Sequence, residues 1–171
     1  MNRRQFLRAG LVGGALLAAG GAWVVWRDVR KADATEPPHD RIGDVLGAIA
    51  PVLLAGALPV QPAARATELA RVSQAVKDVI AAFPPAVRNE LLDLFRLLDI
   101  RIARRLLTGV SGDWRTADPQ EVQKFLEGWR GSRIGLLQSG YFALHDLVLG
   151  AFYAGDSTWG PLGYPGPPNV E

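Results

Sequence analysis

Two histidines and no cysteine bound the chemistry that this chain can hold. His145 is the more informative, because it recurs with Tyr141 and Val148 at the spacing of one helix face and has Asp146 beside it. An imidazole on such an apolar stripe suits a haem iron or a proton relay. The plainer reading, and the favoured one, is a core histidine with one ring nitrogen bonded to a backbone carbonyl. His39 stands next to Asp40 in a polar stretch and reads as an exposed linker residue. Without cysteine the chain forms no disulfide, thiolate nucleophile, iron–sulfur cluster or cysteine-ligated zinc site. Two histidines are a poor basis for any other protein-built transition-metal site.

The charged residues point to ion pairing rather than to acid–base catalysis. Asp93 and Asp99 each lie three residues from Arg96, with Arg101, Arg104 and Arg105 beyond, which is the spacing of pairs on a helix surface. The arginine group is suited to an acidic partner, but a solvated helix face is the simpler expectation. No glycine loop of the G-x-G-x-x-G or G-x-x-x-x-G-K-[ST] type is present to cradle phosphate. Ser111, Ser132, Ser139 and Ser157 lack the G-x-S-x-G setting of an activated serine. The expectation is a catalytically silent domain, with no catalytic, cofactor-binding or metal-binding residue of its own.

The elements that carry these residues read as helices. Ile42, Val45, Leu46, Ile49 and Leu53 recur at the helical period, with Pro51 inside the pattern as an expected kink or division. Leu69, Val72, Val76, Val79, Ile80 and Phe83 form a second stripe, ended by Pro84 and Pro85. A third runs through Val87, Leu91, Leu94, Phe95, Leu98 and Ile102 to a C-cap at Gly109. Because Leu92, Leu97, Ile100 and Leu106 lie off that stripe, the third helix is expected to be central and most buried. In "TADPQEVQKFL" Asp118 is an N-cap, Pro119 suits the first helical position and Glu121 completes a capping box. Val122, Phe125, Leu126 and Trp129 follow as its buried face, and a last helix carries Ile134, Leu137, Tyr141, His145, Val148 and Phe152. Period-two alternation is absent, so the expected fold is all-α, one bundle of about five helices joined by short loops.

The ends of the chain differ from this body. Arg3, Arg4 and Arg8 precede a charge-free stretch, residues 9–26, of 18 residues, diluted by glycines such as Gly13, Gly14, Gly20 and Gly21. Its length is that of a bilayer span, yet its hydrophobicity is weak. With Arg3, Arg4, Phe6 and Leu7 in place, "NRRQFL" resembles a twin-arginine (Tat) export signal, with Asn2 where that signal usually has Ser or Thr. Ala32 and Ala34 bracket a small-x-small cleavage site, whereas Trp23 and Trp26 fit an uncleaved anchor; cleavage is the favoured outcome. The expected division is a Tat signal and candidate membrane anchor (1–34), a linker (35–40), a helical domain (41–154) and an extended tail (155–171). Residues 1–34 hold six of the 19 Lys/Arg and two of the 17 Asp/Glu, so the remaining residues are slightly acidic. A nucleic-acid partner is therefore not expected.

The tail "GDSTWGPLGYPGPPNVE" has four glycines, four prolines, Trp159 and Tyr164, a low-entropy aromatic segment of the kind interfaces use. Together with "FLEGWRGSR" (residues 125–133) and "YFALHDLVLGAFYAGDSTW" (residues 141–159), the Tat leader and the closing "GYPGPP" resemble the gluconate 2-dehydrogenase subunit 3 family. The resemblance implies a non-catalytic accessory subunit that exports and stabilises a large periplasmic FAD-dependent alcohol or sugar dehydrogenase of the glucose–methanol–choline type. FAD would then belong to that partner, and a cytochrome c subunit and the Tat translocase would be further partners. Membrane contact would run through the N-terminal segment, with inner-membrane anchoring through residues 9–26 as the uncleaved alternative. Trp129, Tyr141, Trp159, Tyr164 and Pro165 are the candidate partner-contact residues. "AGDSTWGPLGYPG" lacks the Asp-Pro-x-Tyr-Gly-Gly-Asn type segment of longer members, so gluconate is not singled out as the partner's substrate. The alternative is a stand-alone periplasmic or membrane-anchored helical protein that binds a small ligand or haem at His145 and Tyr141.

Overall fold

A computed structural model describes residues 40–158, which contain helices and turns and no strand. The helices are α1 (Arg41–Leu53), α2 (Pro62–Ala82), α3 (Pro85–Asp99), α4 (Arg101–Thr108), α5 (Pro119–Arg130) and α6 (Gly135–Tyr153). Short 3-10 turns, Trp114–Thr116 and Asp156–Thr158, precede α5 and follow α6. The all-α expectation holds, with six helices rather than about five. The third periodic run is cut at Ile100, whose extended backbone (φ −63°, ψ 118°) separates α3 from α4.

The helix ends follow from local chemistry. The Asp40 carboxylate accepts the Gly43 N–H at 3.0 Å to start α1 and also pairs with Lys77. Pro62, Pro85 and Pro119 begin α2, α3 and α5, where a missing N–H removes no helical bond. Gly109 ends α4 in the left-handed region at φ 75°. Asp118 caps α5 through the Gln120 N–H at 2.8 Å, but the expected capping box does not close. Glu121 reaches instead to the Ser111 N–H at 3.3 Å and hydroxyl at 3.2 Å, tying α5 to the preceding loop. Pro51 neither divides α1 nor ends it at once; it lies in the last turn, where a single lost bond is tolerated.

The central helix is α1, not α3. It touches α2, α3, α5, α6 and the first 3-10 turn, and Val45, Leu46, Ile49 and Ala50 are fully enclosed. The leucines around α3 are mostly half-buried, and only Phe95 and Leu98 are buried. Apolar residues on every side thus mark a helix with two partly covered faces. One hydrophobic core unites α1, α2, α3, α5 and α6.

An aromatic chain fixes the α5 side of that core. Phe125 lies between Trp114 (centroids 6.0 Å apart) and Trp129 (4.8 Å, edge to face). Trp114 Nε1–H donates to the Leu98 carbonyl and Trp129 Nε1–H to the Leu107 carbonyl, each at 2.8 Å. Trp129 packs so closely on α6 that a Cβ at Gly140 would stand 2.6 Å from its ring.

Candidate functional site

Two grooves among the described residues carry candidate chemistry or apolar surface. The larger, about 490 Å³, lies where the end of α1 meets α5 and α6, and Pro51, Gln120, Glu127, Arg130, Tyr141 and His145 line it. Gln123 Nε2 donates to Glu127 at 2.9 Å and holds that carboxylate at the rim. The smaller, about 340 Å³, is almost wholly apolar and runs between α2, α3 and α6, with Val79, Phe83, Val87, Leu91 and Leu147 along it. Asp146 stands at its edge.

His145 does not occupy the core position expected of it. Its side chain is 32% exposed, and its Nδ1 lies 2.9 Å from Asp146 Oδ1 rather than from a backbone carbonyl. The helix turns Tyr141, Leu144 and Val148 inward and leaves His145 on the boundary, 5.5 Å from the Tyr141 ring. With Nδ1 facing the Asp146 carboxylate, Nε2 is the ring nitrogen left for a further partner. The groove's lining can therefore offer imidazole, phenol, amide, carboxylate and guanidinium groups beside apolar side chains. Among the described residues, no three His, Asp or Glu side chains converge as a metal site.

The other candidate residues divide sharply. Trp129, expected at a partner surface, is only 4% exposed and belongs to the core, because its indole needs both the Leu107 carbonyl and the gap at Gly140. Tyr141 is likewise buried, with one edge on the larger groove. Arg3, Arg4, Phe6, Leu7, Ala32, Ala34, Trp159, Tyr164 and Pro165 lie outside the described residues. Among those described, no helix is long and apolar enough to cross a membrane. Asp93 pairs with Arg96 at 3.0 Å as its spacing predicts, whereas Asp99 meets Arg41 across the bundle at 2.9 Å.

Several structural anchors have no periodic signature. Arg71 donates to the Ala151 and Phe152 carbonyls at 3.2 and 3.0 Å while Glu68 holds its guanidinium at 2.5 Å. This cation caps the end of α6, where free carbonyls gather. Gly155 leaves room for it, since a Cβ there would lie 2.5 Å from Arg71 Cζ. Asp113 starts the 3-10 turn, accepting the Arg115 N–H at 3.0 Å, and Arg115 also approaches Asp44 at 3.7 Å. The "GDWRT" stretch, an acid followed directly by tryptophan, is the only sequence hint of this turn. Comparison with known protein families, characterised proteins and solved structures finds no match to this chain.

Proposed function

We propose that the chain is a non-catalytic accessory subunit that supplies the Tat signal for a partner periplasmic FAD-dependent alcohol or sugar dehydrogenase and stabilises it. The observation that carries this reading is the leader: Arg3, Arg4, Phe6 and Leu7 ahead of a weakly apolar run. That route carries folded cargo, and a cysteine-free helical bundle has little need of it for itself. A flavoenzyme loaded with its cofactor before export does. The family resemblance of residues 125–133 and 141–168 supports the same reading, and the apolar groove at Phe83 offers aromatic surface for a subunit contact.

The deciding experiment is co-purification of the tagged full chain from its native cells. The expected result is a yellow complex whose flavoprotein stays in the cytoplasm when Arg3→Lys/Arg4→Lys is introduced. Recovery of the chain without a flavoprotein, and with no partner stranded by the variant, overturns the reading. The His145 groove favours a second reading, a stand-alone binder of a small ligand or haem. A featureless visible spectrum, unchanged by His145→Ala, counts against haem.

A further inference from the structure

The smaller groove has walls from α2, α3 and α6, and of the residues lining it only Asp146 carries a polar side chain. Val79, Phe83 and Val87 stay 41%, 37% and 42% exposed there. Gly150 belongs to the α6 wall, and a Cβ built on it meets nothing within 4 Å, so the groove is open at that point. Covering such a surface is favourable, by roughly 25 cal/mol for each Å² of apolar area. Along α6 the groove runs from Ala143 to Ala151. That is about 12 Å of helical rise, the length of roughly four residues of extended chain. A docked helix of several turns would overrun it, whereas a short extended segment fits.

The end of the described domain lies close to one end of this groove. Arg71 donates to the Ala151 carbonyl at 3.2 Å, and Gly155 packs against its guanidinium. Thr158, only 6% exposed, bonds to the Gly155 carbonyl through its N–H at 3.0 Å and its hydroxyl at 2.7 Å. Through Gly155 and Arg71, Thr158 is thus tied to Ala151, which itself lines the groove. Residues 159–171 follow in the sequence, and from Ser157 to Val170 none is charged. Pro161, Pro165, Pro167 and Pro168 restrict the backbone and so reduce the entropy lost on docking. Leu162 and Tyr164 are two apart, so an extended backbone puts both on one face.

We propose that residues 162–165, Leu-Gly-Tyr-Pro, seat in the apolar groove of their own chain. Residues 159–161 bridge from Thr158, a reach of up to about 10 Å. Leu162 covers Val79 and Gly150, Tyr164 covers Phe83 and Leu147, and the Tyr164 hydroxyl donates to Asp146 at the edge. Two features select this occupant over a segment of another protein. The tether gives the tail an effective concentration in about the millimolar range, which a free segment of equal fit does not reach. An uncharged, proline-spaced segment also needs no counter-charge from a groove that has none along its floor. The contact belongs to the free chain and does not depend on the accessory role. A subunit contact at Phe83 has to displace the tail first.

The absence of cysteine makes the test direct. Val87→Cys/Gly163→Cys in the full chain is treated with a short bismaleimide, and cross-links are mapped by mass spectrometry. Gln123→Cys/Gly163→Cys, whose first cysteine lines the larger groove, is the control. Val87 and Gln123 are both exposed, and an unchanged melting curve verifies the fold. The expected result is an 87–163 cross-link within one molecule that forms about tenfold faster than the 123–163 link. Adding Leu162→Ser/Tyr164→Ser should slow it to the control rate. Equal rates for the two pairs overturn the proposal, as does a fast 87–163 link that the serine substitutions leave unchanged. A link between two molecules, faster at higher protein concentration, overturns it in favour of a second copy. A link that becomes fast only with added flavoprotein overturns it in favour of a tail seated by the partner. The export experiment in cells tests the accessory role separately, so either idea can fail alone.

Discussion

At the scale of single residues, the tightest constraint is Gly140 against Trp129. With 2.6 Å between the ring and a would-be Cβ, Gly140→Ala must push the indole off the Leu107 carbonyl or part α5 from α6. Overpacking of this kind costs about 1–3 kcal/mol. Urea unfolding should show that loss, and Trp129→Phe in the same chain should make the alanine less harmful than in the native background. Asp113 gives a pH-dependent case. The Arg115 N–H holds its carboxyl below the usual range, partial burial opposes this, and the Arg115 side chain adds to the lowering. A carboxyl depressed in the folded state stabilises above its unfolded pKa, and that contribution is lost as pH falls through the folded value. Asp113→Asn should therefore melt lower than the native chain at neutral pH, with the gap closing as thermal melts are taken into acid.

Among the elements, α6 depends on α2 for its C-terminus. Arg71 holds two terminal carbonyls of α6, and Glu68 holds Arg71. Arg71→Met should cost about 1.5–3 kcal/mol, the range of a hydrogen bond to a charged group. Hydrogen exchange should speed at the Gly155 and Thr158 amides, which bond to Phe152 and Gly155, before it speeds in the middle of α6. Element identity was legible in the sequence because period and punctuation coincide: Asp118 with Pro119, Pro84 with Pro85, and Gly109 each mark a true boundary. Facing was legible only where one side was polar. Val79 and Phe83 continue the apolar stripe of α2 yet line an open groove between α2, α3 and α6 and stay exposed. The break at Ile100 was hidden for a related reason, since leucine and isoleucine continue on both sides of it.

At the largest scale, one core among the described residues and no cysteine in the chain imply that the helical domain unfolds in one cooperative transition that redox conditions do not touch. The melting temperature should be the same with and without dithiothreitol. The twin-arginine variant retained in the cytoplasm should give the same protease fragments from the helical domain as the exported form. The candidate surfaces were far less legible than the fold. The larger groove assembles Pro51, Gln120 and His145 from three distant segments, and no local period reports such a meeting. His145 itself was misplaced because a stripe wide enough to include Tyr141, Leu144 and Val148 has edges, and a residue at the edge shares the period without sharing the burial.

The two indole N–H groups have a mechanical consequence. Trp114 grips the chain just before α4, at Leu98, and Trp129 grips it inside the last turn, at Leu107. The two bonds thus hold the end of α3 and the end of α4 on either side of the break at Ile100, with Phe125 between the two indoles. Displacement of α4 from α5 therefore requires breaking the Trp129–Leu107 hydrogen bond and disturbing the contact of Phe125 with both indoles.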